Sequence, residues 1–324
     1  MLSYFKSQQP ATVLAFILFY VIIKIPFFLS GTILPVSGVQ NLWNTLGLIA
    51  DGSYTLNFLL AQFCLLIQAF WFNYLFQKAD YNETSTMIPA LYFSLVTSLL
   101  PQFNQFSIYI LIGFVLLAVF QTLLNITIKE NARLDCFNLG VLGGILIIAN
   151  AQFLFFIPFF FLMLYAIKPF RFNEYMMLFF GILFPLYTAV SISYLFDSDI
   201  TINGFFITSF QFFRFNNDVL NAVNLIITAA YLLMAFVSLR GIMYSTGFKR
   251  RKNVNMLVFF FLGITLTVLF CNQLDEAVLS LLFIPISVFL TLFMLRLRNK
   301  KWSEIFNAIF VIVTFITNIV RVFK

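Results

Sequence analysis

The chain has 324 residues, of which 62% are hydrophobic, 19% are aromatic and only 10% are charged. Soluble domains carry about 25% charged residues because a water-facing surface needs them, so this composition excludes a soluble protein and predicts a polytopic membrane protein. The formal net charge is +7, but the basic residues lie in short segments between apolar runs, which indicates membrane topology and argues against a nucleic-acid partner.

About 20 apolar residues are needed to cross a hydrocarbon core of roughly 30 Å. By that length the sequence predicts an all-α transmembrane bundle of about 11 spans with a cytoplasmic N-terminus, in the inner membrane of a bacterium. The first run has no small-residue cleavage pattern after it, so we expect it to remain in the membrane. Nine runs are interpreted as single spans, near residues 11–30, 54–76, 86–101, 106–128, 174–196, 219–239, 254–271, 277–295 and 303–320.

The first span contains a charged residue, Lys24, in its outer half. A charge inside the membrane costs at least about 2.5 kcal/mol on insertion scales, so it is usually paired or faces a cavity. One interpretation has Lys24 binding an anionic phosphate or an outer carboxylate such as Asp51. The other has its long side chain extending to the outer headgroups. Asp51 is the only acid in the first outer segment, 31–53, which makes it the preferred candidate for a general base.

The segment from Leu139 to Lys168 decides the orientation of everything after it. It has no charge before its last residue, and as one straight helix it would be roughly 45 Å long, too long for a single span. Two spans place fifteen Lys and Arg residues in inner segments and three in outer ones, whereas one span gives seven inside and eleven outside. Because inner loops are enriched in Lys and Arg, the sequence predicts a short-helix hairpin at 138–167.

The turn of this hairpin is predicted at Asn150–Gln152, its only polar break. The first leg is so short that the turn would lie within the membrane, where irregular backbone is tolerated only if protein buries it or a watery cavity reaches it. Asn150 and Gln152 are therefore interpreted as bordering an outward-facing cavity. The alternative is a turn that reaches the headgroups beside a thinned or tilted bundle. Transporters often have such a break in each of two halves, but the sequence reveals no counterpart.

The second long outer segment supplies the remaining candidates. Asp197 and Asp199 have a spacing that can share a divalent ion, although a solvated acidic loop has the same composition. Arg214 either holds a phosphate or pairs with Asp218. Apart from a divalent metal ion, no cofactor is suggested: the chain has no histidine, and its three cysteines show no paired spacing.

The last span, 303–320, is open to a second interpretation. Trp302 stands at one end, and Arg321 and Lys324 stand at the other. The two basic residues oppose an outer C-terminus under the positive-inside rule. The segment is therefore either a true span or a helix lying in the interface.

The order of these elements resembles the membrane core of the GT-C superfamily, the polyprenyl-phosphate-sugar-dependent glycosyltransferases. The likeness covers residues 1–196 and rests on the first outer loop, the next two spans, and the hairpin "LGVLGGILIIANAQFLFFIPFFFLML" followed by "YAIKPFRF". Residues 197–324 would then be C-terminal helices of one membrane domain. The chain also looks like an uncharacterised bacterial family of integral membrane proteins.

The GT-C resemblance implies transfer of a sugar from a lipid-phosphate donor at the outer leaflet. Asp51 would then be the base, and Lys24 and Arg214 would contact the phosphate. Those enzymes place an acid soon after the first span, whereas residues 31–50 contain none, so the resemblance fits an active or a degenerate enzyme.

Three functions follow from the sequence, and whether the protein is an enzyme is left open. The first is binding or transfer of a polyprenyl-phosphate-linked sugar. The second is a non-catalytic subunit of a cell-envelope complex, with other envelope membrane proteins as partners. The third is a transporter or lipid flippase. Membrane lipids are expected partners in all three.

Overall fold

The computed structural model describes residues 4–6, 9–30, 54–81, 85–195, 219–245, 248–270, 276–297 and 300–322. Within these ranges the backbone is almost entirely helical and no β-strand occurs, so the predicted all-α class is confirmed. The α-helices of the described ranges are α1 (Pro10–Ser30), α2 (Tyr54–Lys78), α3 (Ile88–Val96), α4 (Ile108–Ile128), α5 (Arg133–Ala149), α6 (Ile157–Ile167), α7 (Phe172–Leu195), α8 (Val219–Ser245), α9 (Phe248–Leu269), α10 (Phe283–Arg296) and α11 (Lys300–Val322).

Among the described residues, eight helical segments are long and apolar enough to cross a membrane. They lie on α1, α2, α4, α7, α8, α9, α10 and α11, and the segment on α10 also includes 3₁₀ residues that precede this helix. The protein is therefore a membrane protein with multiple candidate spans. The total of eleven spans and their orientation stay predictions, because α3, α5 and α6 are shorter than the usual spanning length.

The predicted span 86–101 is instead the nine-residue helix α3, followed by turn residues at 97–100 and a 3₁₀ segment that begins at Pro101. Nine residues rise only about 14 Å, less than half of the hydrocarbon core. Hydroxyl groups compete for backbone acceptors where the helix ends, since Thr97 and Ser98 both donate to the Ser94 carbonyl. Pro101 follows and holds Leu100 in an extended conformation. The local sequence therefore stops the helix in the middle of an apolar run.

The region of the predicted hairpin contains two helices with a chain reversal between them, while their role as two spans stays a prediction. Helix α5 ends at Ala149, and a short 3₁₀ segment, Ala151–Phe156, leads into α6. The two helices run antiparallel, because Lys168 after α6 donates to the carbonyl of Glu130 before α5 at 3.1 Å. Helix α5 begins at Arg133, five residues before the predicted start of the hairpin.

The chain packs as two compact units. Unit 1 consists of Met1–Ile110, Phe215–Thr246 and Asp275–Lys324, and unit 2 of Leu111–Arg214 and Gly247–Leu274. The predicted division of a single domain at residues 196 and 197 stays a prediction.

Unit 2 is built on very close packing of α5 against α7. A Cβ atom on Gly140 would lie 2.3 Å from the carbonyl oxygen of Leu178 and 2.8 Å from the Cα of Gly181. One turn along, a Cβ on Gly144 would meet the ring of Pro185 at 2.6 Å. Small residues spaced four apart allow helix backbones to approach in this way in membranes. The hairpin is therefore fixed to α7 by steric fit.

In unit 1, helix α11 turns its polar face inward. Asn307, Thr317 and Asn318 are buried, whereas the isoleucines of the opposite face, Ile305, Ile309, Ile312 and Ile316, are exposed. A helix lying at the interface presents its polar face to water; α11 does the opposite. Its 23 residues rise about 34 Å. Length and exposed apolar surface both favour a spanning helix over the interfacial alternative.

Candidate functional site

Lys24 is buried in unit 1, with 3% of its surface exposed. Its Nζ donates to the carbonyl oxygen of Thr97 at 3.1 Å, to the hydroxyl of the same residue at 3.1 Å, and to Oδ1 of Asn104 at 2.6 Å. The rings of Tyr20 and Phe27 lie 5.5 and 5.9 Å from Nζ, within the range of cation–π attraction. All three N–H donors of the ammonium therefore have acceptors inside the protein.

Lys24 and Gln62 both lie well away from the nearer ends of their helices. Lys24 precedes the end of α1 by six residues, about 9 Å along the axis. Gln62 follows the start of α2 by eight residues, about 12 Å along that axis, and donates to Oδ1 of Asn104 at 3.3 Å. Tyr20 in turn donates to Oε1 of Gln62 at 2.7 Å. The Lys24 side chain therefore stays within the protein, and its extension to the headgroups is not what the structure shows.

The ammonium lies at the C-terminal end of α3, because Thr97 is the residue that caps this helix. A helix C-terminus carries a partial negative charge of up to about half an elementary charge, which stabilises a cation placed there. Among the described residues no carboxylate lies within salt-bridge distance of Lys24. Neutral oxygens and a helix end, not an acid, therefore hold this charge.

Four consecutive carbonyls after α3 receive hydrogen bonds from side chains. Lys24 donates to the Thr97 carbonyl, and Nδ2 of Asn104 donates to the Leu100 carbonyl at 3.2 Å. Of the two carbonyls between them, that of Ser98 accepts from Asn318 at 2.9 Å and that of Leu99 accepts from Asn224 at 2.7 Å. Unsatisfied backbone groups cost several kcal/mol in a membrane interior. This network therefore provides donors for the carbonyls that the end of α3 leaves without partners in the helix.

The predicted turn residues lie in a second interruption, in unit 2. Asn150 and Gln152 are both buried, and Oδ1 of Asn150 accepts a hydrogen bond from the backbone N–H of Gln152 at 3.0 Å. Oε1 of Gln152 has no hydrogen-bond partner. Aromatic rings surround the segment, with Phe156 against both Phe160 and Phe260. The interpretation of these residues as the border of a cavity stays a prediction.

A polar cluster in unit 2 connects the residues just before α5 with those between α6 and α7. Glu174 is buried and lies 3.9 Å from both Lys168 and Arg171. Arg171 also donates to the carbonyl of Glu130 at 2.9 Å. The cleft beside them measures about 210 Å³ and includes Arg133 in its wall. These contacts explain how α5, α6 and α7 meet at one end.

The remaining predicted site residues lie outside the described ranges. They are Asp51, Asp197, Asp199 and Arg214. In the part of the chain that the structure does describe, no group of three or more His, Cys, Asp or Glu residues fits a metal ion. The catalytic base, the divalent-ion ligands and the second phosphate contact stay predictions.

Lys24 is recognisable from the sequence as unusual, but its partners Thr97 and Asn104 are not predicted as site residues. The signal that could have found such partners is the presence of amide side chains within apolar runs. Gln62, Asn224 and Asn318 each interrupt an otherwise apolar segment, and polar residues inside a membrane usually face the protein interior.

These features define a polytopic helical membrane protein with a buried polar site where one of its helices is interrupted. The chain belongs to DUF6427, a family of unknown function, whose model matches residues 13–323. No curated protein and no solved structure matches it.

Proposed function

We propose that this protein is a membrane transporter or lipid flippase whose substrate path includes the interruption after α3. The observation that supports the proposal is the position of Lys24, an ionisable residue inside the candidate span α1 that donates to the Thr97 carbonyl at the end of α3 and to the Asn104 side chain. Ionisable residues inside a membrane are functional candidates by default. Interrupted helices are the usual place where transporters bind substrates and coupling ions.

The presence of two interruptions also supports transport. The sequence reveals only the break at Asn150, but the structure has a second one after Val96. One lies in unit 1 and the other in unit 2. Transporters built from two halves carry discontinuous helices in both, whereas a purely structural subunit has no need of two such costly interruptions.

Binding of a polyprenyl-phosphate-linked sugar is the second candidate, supported by the short-helix hairpin on which the GT-C resemblance rests. The residues that would carry the transfer, with Asp51 first among them, lie outside the described ranges. A phosphate contact by Lys24 would require the release of at least one of its three hydrogen bonds to Thr97 and Asn104.

Cysteine accessibility at Ser98 separates these functions. Ser98 is fully buried at the interruption, so Ser98→Cys is a small change that reports whether water reaches this site. The variant is made in a background where Cys64, Cys136 and Cys271 are replaced by alanine, and is labelled with a membrane-impermeant maleimide in right-side-out and inverted vesicles. Alternating access predicts labelling from both sides.

The matched control is Ser94→Cys, also fully buried but within α3, which should stay unlabelled in both preparations. Labelling of Ser98→Cys from the outer side alone would favour an outer-leaflet enzyme and overturn the transport proposal. Labelling from neither side would favour a packed, non-catalytic subunit and would overturn it as well.

A further inference from the structure

We infer that the oxygens of Thr97 and Asn104 form a binding site for a monovalent cation, which the ammonium of Lys24 fills. The inference deepens the proposed transport function, because it assigns the coupling-ion position to a residue of the chain itself. The site can be tested apart from transport, since it is a binding site whether or not a substrate crosses the membrane.

The ligands have the chemistry of an alkali-metal site. They are a backbone carbonyl, a hydroxyl and an amide oxygen, at 3.1, 3.1 and 2.6 Å from Nζ of Lys24. Neutral oxygens of this kind replace the hydration shell of monovalent ions in channels and transporters. A divalent ion prefers carboxylates, and among the described residues none contacts Nζ.

The oxygens are held in place by bonds that do not involve Lys24. The Thr97 hydroxyl uses its only proton to donate to the Ser94 carbonyl at 2.9 Å, so it presents a lone pair to the site. Asn104 donates through Nδ2 to the Leu100 carbonyl, which directs Oδ1 toward the cation. A site whose acceptors are fixed independently of the occupant is preorganised, so it should bind another small cation once the ammonium is removed.

The functional consequence rests on the proposed transport activity. In transporters that bind Na⁺ at an unwound helix, the ion contributes a positive charge next to the helix C-terminus. Here the ammonium of Lys24 contributes that charge as part of α1. The native protein therefore needs no Na⁺ at this position, and we expect its stability to be the same in sodium and choline salts.

The test is thermal unfolding of purified Lys24→Ala in detergent. Sodium chloride and n-propylammonium chloride are each compared with choline chloride at equal ionic strength. The n-propylammonium ion corresponds to the part of the lysine side chain that the substitution removes. We expect sodium or n-propylammonium to raise the Tm of the variant by about 3–6 °C over choline, and to leave the native protein unchanged.

A double variant, Lys24→Ala with Thr97→Val, is the matched control. It retains the cavity but lacks the hydroxyl ligand, so the cation response should fall to less than half. If Lys24→Ala cannot be purified in choline, recovery of folded protein in sodium or n-propylammonium supports the site. Equal recovery, equal Tm or equal failure in all three salts would overturn it. None of these results depends on the labelling of Ser98→Cys, so failure of the cation site and failure of the transport proposal are distinguishable.

Discussion

The two interruptions, one after α3 in unit 1 and one after α5 in unit 2, stabilise non-helical backbone in different ways. After α3 the carbonyls that have no partner in the helix accept hydrogen bonds from distant parts of the chain; Asn318, for example, donates to Ser98 across 220 residues of sequence. After α5 the bonds are local, with Asn150 accepting from Gln152 two residues away. The first interruption therefore depends on tertiary hydrogen bonds, and the second on a local cap within a tightly packed unit.

This difference has a consequence for function. Side-chain donors from separate helices can exchange partners when those helices move, so the network around Thr97 has the parts of a two-state element. The reversal in unit 2 is surrounded by rings and by glycine contacts that leave no room for a methyl group; a Cβ on Gly263 would lie 2.5 Å from the ring of Phe156. We therefore expect movement at the first interruption and rigidity at the second.

The largest expected effect is steric and falls in unit 2. Gly140→Leu forces a side chain against the backbone of α7, where even a Cβ would lie 2.3 Å from the Leu178 carbonyl. Overpacking costs up to about 3 kcal/mol, and here the obstacle is backbone that cannot change rotamer. We expect a loss of about 3 kcal/mol in the free energy of unfolding, measured by SDS titration in mixed micelles, together with a lower yield of folded protein.

The control for this prediction is Asn138→Leu, which adds a similar side chain at an exposed position of the same helix. It should change the free energy of unfolding by no more than about 0.5 kcal/mol. Equal losses in the two variants would mean that contact between α5 and α7 is not what stabilises the hairpin.

The next effect is the loss of a tertiary donor in unit 1. Asn318→Leu leaves the Ser98 carbonyl without its side-chain donor at a position that is 1% exposed. An unsatisfied buried acceptor costs about 1–3 kcal/mol, and interhelical hydrogen bonds in membranes contribute up to about 1.7. We expect a destabilisation of about 1–2 kcal/mol in the same titration.

Thr314→Val is the control on the same buried face of α11, because the Thr314 hydroxyl donates only to carbonyls of its own helix. Its loss should cost less than about 0.5 kcal/mol. A cost as large as that of Asn318→Leu would contradict a special role for donors to the segment after α3.

A smaller effect is expected for the local cap in unit 2. Asn150→Ala removes the side-chain acceptor for the N–H of Gln152, in the same way as loss of a helix N-cap. Such losses cost typically about 1 kcal/mol. The free energy of unfolding should fall by that amount, with the glycine contacts of α5 and α7 preserved. A loss above that of Asn318→Leu would reverse the comparison between local and tertiary stabilisation.

The all-α class and most of the apolar helices could be predicted because membrane helices are specified by apolar length. The reversal at Asn150 is predicted from the 29 uncharged residues 139–167 and from the distribution of Lys and Arg. The end of α3 could not be predicted by the same reasoning. Residues 86–101 are apolar enough for a span, and what stops the helix is a run of hydroxyls before Pro101 together with donors from other helices.

The site around Lys24 also has one residue that could be predicted from the sequence and others that could not. Lys24 is visible in the sequence because a charge in an apolar run is rare. Its partners are not, because Thr97 and Asn104 lie 73 and 80 residues away and each is an ordinary polar residue in its own segment. Spacing within one element predicts which residues share a face, whereas a contact between α1 and the end of α3 depends on tertiary packing.

The smallest predicted change is distinguished by its sign. Gln152 is 6% exposed and its Oε1 has no hydrogen-bond partner, so the native residue already carries the cost of a buried acceptor. Gln152→Leu keeps a similar volume and removes that cost, and such replacements are near neutral or stabilising. We expect an unchanged or slightly raised free energy of unfolding, within about 0.5 kcal/mol. Gln62→Leu, at the other interruption, removes donors to Asn104 and should destabilise. A loss of 1 kcal/mol or more for Gln152→Leu would show that Oε1 has a partner, such as water, and that the turn in unit 2 borders a hydrated cavity after all.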